Sequence, residues 1–192
     1  RAKSCFLQRH GGAGLPDTSR RLAVKEEKGG SEEYLHIDDV AALIAAAQMG
    51  VLEFHIWGSH VDRIERPDRI VFDLDPAPDL AFAEVKRAAV EMRAVLQDLG
   101  LESFPLLTGG KGIHVVAPIE RRHDWPAVKA FTAAVARRLA EQQPERYVAV
   151  MTKSKRTGRI FLDYLRNGRS ATAICPFSPR AREGAPVAWP VG

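Results

Sequence analysis

Cysteine is scarce. The 192 residues contain only Cys5 and Cys175, so one disulfide at most can form and no CxxC metal knuckle exists. That excludes a disulfide scaffold and makes a reducing, cytoplasmic setting the default expectation. Long apolar runs are also missing. The longest, Val40 to Ala47, falls far short of the ~20 residues that cross a bilayer. The first residues, RAKSCFLQRHGG, lack the apolar stretch of a secretory signal. Internal repeats are absent. What remains is a globular composition, 45% hydrophobic and 27% charged, which supports a core in one domain or two small ones and excludes a collagen or a disordered tail.

The charge is uneven. Residues 153–192 carry eight basic groups (Lys153, Lys155, Arg156, Arg159, Arg166, Arg169, Arg180, Arg182) against Asp163 and Glu183. Their net charge of +6 exceeds the +4 of the whole chain, leaving −2 for the rest. A cationic segment on a near-neutral body suits a polyanion such as nucleic acid or a nucleoside triphosphate, or is simply a solvated basic surface.

Residues 8–32, rich in Gly and charge, read as loop or a weakly formed hairpin. Beyond Tyr34 helices and strands alternate. Asp38 or Asp39 caps a helix to about Met49, closed by Gly50, and Asp79 caps a long helix from about Ala81 to Leu99. Asp124, followed by Trp125-Pro126, starts a third helix that reaches Gln142. Strands are expected at 51–57, 69–75, 103–107, 113–117, 147–150, 159–165 and 171–174. The mixture predicts an α/β or α+β domain with one main sheet.

Residues two apart on a strand point the same way. Leu52, Phe54 and Ile56 then oppose Glu53, His55 and Trp57. Ile70, Phe72 and Leu74 oppose Val71, Asp73 and Asp75, and Ile160 and Leu162 oppose Arg159, Phe161 and Asp163. The repeated pattern implies a sheet with helices on one face and a polar working surface on the other. Trp57 is turned toward that surface. Trp57, Trp125 and Trp189 read as packing residues, with Trp57 also placed to pack on a base.

Four features on that surface carry chemistry. In VFDLDPAPD, Asp73 and Asp75 present carboxylates on one face, their Cα atoms about 7 Å apart, a placement that can bridge divalent cations or simply be solvated. In LLTGGKGIHVVAPI, the turn Thr108-Gly109-Gly110-Lys111-Gly112 offers N–H groups, a hydroxyl and an ammonium to a phosphate. It is no Walker A loop, because the glycines run into a strand rather than a helix; a plain turn with a solvated Lys is the alternative. Asp163, inside RIFLDYLRN, needs a cation or a donor, which a metal, Arg166 or Arg159 can supply. His55, in EFHIW, is either a core histidine or part of the same surface.

Taken in order, EFHIW, DRIVFDLDP, TGGKGIHVVAPI and KSKRTGRIFLDYLRNGRSATAICPFSPRAREGAPVAWP, with CFLQRH more loosely, resemble the polymerase domain of the bacterial end-joining DNA ligase, ligase D, in the archaeo-eukaryotic primase superfamily. The resemblance covers nearly the whole chain. It implies a single primase-like α+β catalytic domain over residues 1–192, with a mixed or antiparallel sheet, helices on one face and an open active-site face. It implies nucleotidyl transfer to DNA 3′ ends during non-homologous end joining, with manganese or magnesium as a pair of ions and NTP or dNTP as substrate. By the same resemblance Asp73, Asp75 and Asp163 are the metal-binding triad, and His55, Thr108, Lys111 and His114 contact the nucleotide. Arg166, Arg180 and Arg182 lie near its phosphates, and Phe6 lies near the DNA. DNA ends, Ku and an ATP-dependent ligase are the implied partners, in the cytoplasm at the nucleoid and away from membranes.

Two departures stand out. Thr108 occupies a position that is usually Ser, and the family's N-terminal segment, with lysines for a DNA 5′-phosphate, is expected to be missing. Two other readings stay open here: a non-catalytic nucleic-acid or nucleotide-binding module, and a haloacid-dehalogenase-like phosphatase. The phosphatase family wants Thr or Val two places after the second aspartate, where this chain has Ala77.

Overall fold

In the computed structural model, residues 8, 20–26 and 29–191 are described, in two units divided after Leu52. Cys5 and Phe6 lie outside the described residues. In the first unit, strands β1 (Arg20–Lys25) and β2 (Ser31–His36) pair antiparallel from Arg20↔His36 to Lys25↔Ser31. This is the hairpin that the Gly-rich segment suggested, extended to His36. Its turn uses Gly29 and Gly30 at φ of 90° and 87°, a region that glycine enters without a Cβ penalty. Helix α1 (Val40–Gln48) follows, and the Asp39 carboxylate accepts the Ala42 N–H at 2.7 Å, satisfying one of the orphan donors of its first turn.

The second unit is organised by β4 (Arg69–Pro76). Its antiparallel neighbours are β6 (Ile113–Pro118) on one side and β8 (Ile160–Asp163) on the other. Adding β5 (Phe104–Leu107), β7 (Tyr147–Val148) and β10 (Trp189–Pro190) gives a six-stranded sheet ordered β10-β5-β6-β4-β8-β7, antiparallel except for the β7–β8 pair. The alternation separates its faces as expected. Ile70, Phe72 and Leu74 join Ile113, Val115, Ile160 and Leu162 in the core, under α2 (Phe82–Asp98) and α3 (Trp125–Gln142). Val85, Met92 and Leu96 of α2 and Val128, Ala136 and Leu139 of α3 supply the helical side of that core. Each such fully buried side chain contributes roughly 1.5–3 kcal/mol. Among the described residues no helix is long and apolar enough to cross a membrane.

Three expectations need correction. The strand expected at 51–57 shrinks to β3 (His55–Ile56), which leaves the main sheet and pairs with β9 (Ala173–Ile174) in a two-stranded ribbon. Its continuation is held by the Cys175 N–H, which donates to the Phe54 carbonyl, and by the Phe54 N–H, which donates to the Ser178 hydroxyl oxygen. Ile174 packs with Leu106, Ala188 and Val116, so part of the sheet's polar face is covered. Asp79 does not cap α2. The N-cap is Ala81 without a side-chain bond, because Pro78 to Leu80 are taken up by a turn closed by Leu80 N–H on the Ala77 carbonyl. Trp189 is 56% exposed and meets Phe177 edge-on rather than packing inside. Trp125 is buried, donates to the Ile64 carbonyl and carries Trp57 edge-on against it, which marks Trp57 as a packing residue.

Candidate nucleotide and metal site

The register of β4 places three of the expected residues side by side. Asp73 is the Cα partner of His114 on β6 and of Asp163 on β8, so all three project from the polar face in one row across the sheet. Asp75 lies two residues further along β4, on the same face. A cavity of about 270 Å³ opens above them, lined by His55, Asp73, Asp75, Thr108, Lys111, His114, Arg166, Arg180 and Arg182, with Gly112 and Thr172 to Ile174. The structure thus gathers nine of the ten expected site residues around one space. Asp163, the tenth, is not in the lining but sits beside Asp73 as its register partner on β8. His55 reaches the cavity from the separate ribbon, not from the main sheet.

The carboxylates differ in electrostatics. Asp73 is 14% exposed and meets Arg166 at 3.0 Å and His114 Nε2 at 3.5 Å. Burial works to raise its pKa, but the hydrogen bonds and charges of His114 and Arg166 prevail and hold it below the usual carboxylate range. Asp163 goes the other way. Burial and the charge of Asp73 push it up, against the Leu165 N–H on its Oδ1 at 2.8 Å and Arg166 at 3.5 Å. Asp75 is likewise raised, by burial and then by Asp73, although Arg156 stands 3.0 Å away and Lys111 acts in the same sense. Arg156 also lies over the Phe161 ring at 4.0 Å.

Among the described residues no three His, Cys, Asp or Glu side chains close around a single point; the aspartates turn to Arg166 and Arg156 instead. The donor set still fits a hard divalent cation. All three donors are carboxylates on one face of the sheet, the hard oxygen ligands such a cation takes, and burial together with the charge of Asp73 raises the pKa of Asp75 and Asp163. Asp73, Asp75 and Asp163 are the residues that could hold it.

The glycine turn forms the cationic wall. Thr108 donates its hydroxyl to the Gly112 carbonyl at 2.9 Å, closing the turn at the edge of the cavity it lines. Gly109, at φ 67°, lets the Arg180 chain cross: a Cβ there would stand 2.9 Å from Arg180 Cγ. Arg180 donates to the Thr108 carbonyl, and the Arg182 guanidinium lies over Gly110. Gly112 is the tightest point, where a Cβ would lie 2.8 Å from the Leu74 carbonyl. Gly112→Ala must therefore separate β6 from β4 beside Asp73. The expected outcome is a loss of about 2 kcal/mol, in the range of overpacked cores, together with weaker nucleotide affinity; urea unfolding within 0.5 kcal/mol (about the noise of such comparisons) would contradict it.

Three residues of the site had no role in the sequence reading. Arg156 was only one basic group among eight. Glu53 shares the His55 face by alternation, and its bond to His55 is what that spacing could have suggested. Asn167, in RIFLDYLRN, carries no signal that distinguishes it from a loop residue.

The family model described as LigD, primase-polymerase domain, matches residues 1–192. A multifunctional non-homologous end joining protein LigD from Pseudomonas aeruginosa is 46% identical over 162 residues, 84% of this chain and 19% of that protein. Its counterpart from Mycolicibacterium smegmatis is 32% identical over 191 residues, 98% of this chain and 25% of that protein. The chain thus spans about a fifth to a quarter of the length of these curated relatives. The solved structure described as the polymerase domain from Mycobacterium tuberculosis ligase D in complex with DNA superposes with a TM-score of 0.88 at 31% identity, covering 97% of this chain and 68% of that one. With a mixed α+β fold shared across nearly its whole length, this chain belongs to the LigD primase–polymerase domain family.

Proposed function

We propose that this chain, read as one catalytic domain, adds ribo- or deoxyribonucleotides to DNA 3′ ends in non-homologous end joining. The observation that carries this reading is the cavity over β4, where paired carboxylates face Lys111, Arg166, Arg180 and Arg182. Acidic groups for cations beside basic groups for phosphates are what a triphosphate requires. Family membership sets aside the haloacid-dehalogenase-like phosphatase.

In the proposed reaction the primer 3′-oxygen bonds to the α-phosphorus of the incoming nucleotide, the bond to pyrophosphate breaks, and the hydroxyl proton leaves to solvent. Asp73, Asp75 and Asp163 would hold two Mn²⁺ or Mg²⁺ ions. Such ions, when bound, make the hydroxyl a better nucleophile and offset charge on the departing pyrophosphate. Arg166 spans Asp73 and Asp163, and its guanidinium would be free to hold a phosphate where those carboxylates hold a cation instead. Lys111, Arg180 and Arg182 hold the remaining phosphate charge above the glycine turn, and His55 and His114 border the nucleotide. DNA ends are the macromolecular substrate. Ku and an ATP-dependent ligase are the proposed partners, at the nucleoid of a bacterial cytoplasm.

The test is incorporation of labelled nucleotide into a primer annealed to leave a 5′ overhang, with and without Mn²⁺ or Mg²⁺. Metal-dependent extension is the expected result. DNA binding with no extension under any metal would overturn it in favour of a non-catalytic binding module.

A further inference from the structure

Glu53 stands behind the cavity, not in its lining, yet it holds two of the groups that are. Its Oε2 lies 2.8 Å from His55 Nε2. Its Oε1 accepts the Ala181 N–H at 2.8 Å and meets Arg180 Nε at 3.1 Å. Ala181 separates Arg180 from Arg182, so one carboxylate fixes the histidine, one arginine and the backbone between both arginines. Burial opposes its ionisation, but the bonds from His55 and Ala181 and the charge of Arg180 outweigh that and draw its pKa down to about 2.

An ionised carboxylate only accepts hydrogen bonds. His55 Nε2 must therefore carry the proton it donates, and Nδ1 is left as the ring nitrogen with no protein partner among the described residues. Arg180 sets its Nε 3.1 Å from Glu53 as an ion pair without hydrogen-bond geometry and donates from one terminal nitrogen to the Thr108 carbonyl, which leaves the other end of the guanidinium for a ligand. The neighbouring backbone does not depend on this carboxylate. Phe54 is tied to Cys175 and Ser178 through its own N–H and carbonyl, so the ribbon persists when Glu53 loses its charge.

We infer that Glu53 is a positioning residue for the triphosphate: through one carboxylate it sets the tautomer of His55 and the reach of Arg180, and so tunes nucleotide affinity rather than the chemical step. This rests on the nucleotidyl-transfer reading above. Carboxylates that orient a binding histidine from behind typically change affinity by ten- to a hundredfold when removed.

The test uses Glu53→Gln, which keeps the shape and an acceptor for Ala181, and Glu53→Asp, which keeps the charge. In Glu53→Gln the KM for the nucleoside triphosphate should rise about tenfold or more with kcat within about twofold, a pattern of lost ground-state binding. Glu53→Asp should recover part of that loss. Ring ¹⁵N NMR of the free protein should show His55 protonated at Nε2 in the parent chain and shifted toward Nδ1 in Glu53→Gln. An unchanged KM and an unchanged ring spectrum in Glu53→Gln overturn the inference, as does a fall in kcat with KM unaltered. If the chain performs no transfer at all, the ring spectrum and calorimetric titration with ATP still decide the role of Glu53. If transfer is found and Glu53→Gln is silent, this inference alone fails.

Discussion

Asp73→Asn and Asp163→Asn are each expected to lower nucleotide addition by at least about a hundredfold, the scale of removing one group that stabilises transition-state charge, yet to move stability in opposite directions. Asp73 has its pKa lowered in the fold, by His114 and Arg166 against the pull of burial. A depressed carboxylate stabilises the fold above its unfolded pKa, and that stability is lost as pH falls through the folded value. At pH 7 it is present, so Asp73→Asn should unfold earlier in urea. Asp163 is raised, chiefly by burial; its ionised form at pH 7 works against folding, and Asp163→Asn should be as stable as the parent chain or more so. Both measurements belong in EDTA, which removes stabilisation by bound cations. Retained activity in either variant, or the reverse order of stabilities, would contradict the assignment. The same shifts give a pH dependence: protons compete with cations at Asp75 and Asp163, whose pKa values are raised by burial and by Asp73, so on acidification activity should fall earlier at low than at saturating Mn²⁺.

This opposition explains which parts of the molecule are legible in the sequence. Strand alternation was enough to place Ile70, Phe72 and Leu74 under helices and Asp73 and Asp75 on the other face, because each strand has one buried and one polar side. Asp163 and His114 could be joined to that face by pattern, but only the register shows that both are direct partners of Asp73. Alternation put His55 on the side of the aspartates, where it lines the cavity, but assigned its strand to the wrong sheet. A two-residue strand paired with a distant two-residue strand leaves no periodic trace, so EFHIW looked like a member of the main sheet when it is part of a ribbon. Asp79 failed for a similar reason: composition places a capping residue near a helix start, whereas the turn after Pro78 decides which residue occupies the cap. Bonds between residues far apart in the chain, such as Glu53 to Ala181 or Arg156 to Asp75, have no local signature at all.

Asn167 shows the energetic side of such a long-range bond. It is 2% exposed, its Oδ1 accepts the Val71 N–H at 2.7 Å, and its Nδ2 donates to the Val71 carbonyl at 2.7 Å and to the Tyr164 carbonyl at 2.9 Å. Pairing of β8 with β4 ends at Asp163↔Asp73, so on that side Val71 has no strand beside it, and the Asn167 amide stands in for one. Asparagine suits the task because its side chain has the donor and acceptor of a peptide group in one plane. Asn167→Ala leaves a backbone N–H and carbonyl of a central strand buried without partners, each costing about 1–3 kcal/mol. The expected loss is about 3 kcal/mol in urea unfolding, and Asn167→Asp, which keeps the acceptor but faces the Val71 carbonyl with charge, should fare no better. A loss below about 1 kcal/mol, the net worth of one ordinary hydrogen bond, would mean that water replaces the amide. Because Arg166 precedes Asn167 and bonds Asp73, nucleotide addition should also fall in Asn167→Ala at temperatures where the variant is folded, which ties the stability of the strand's end to the charge balance of the cavity above it.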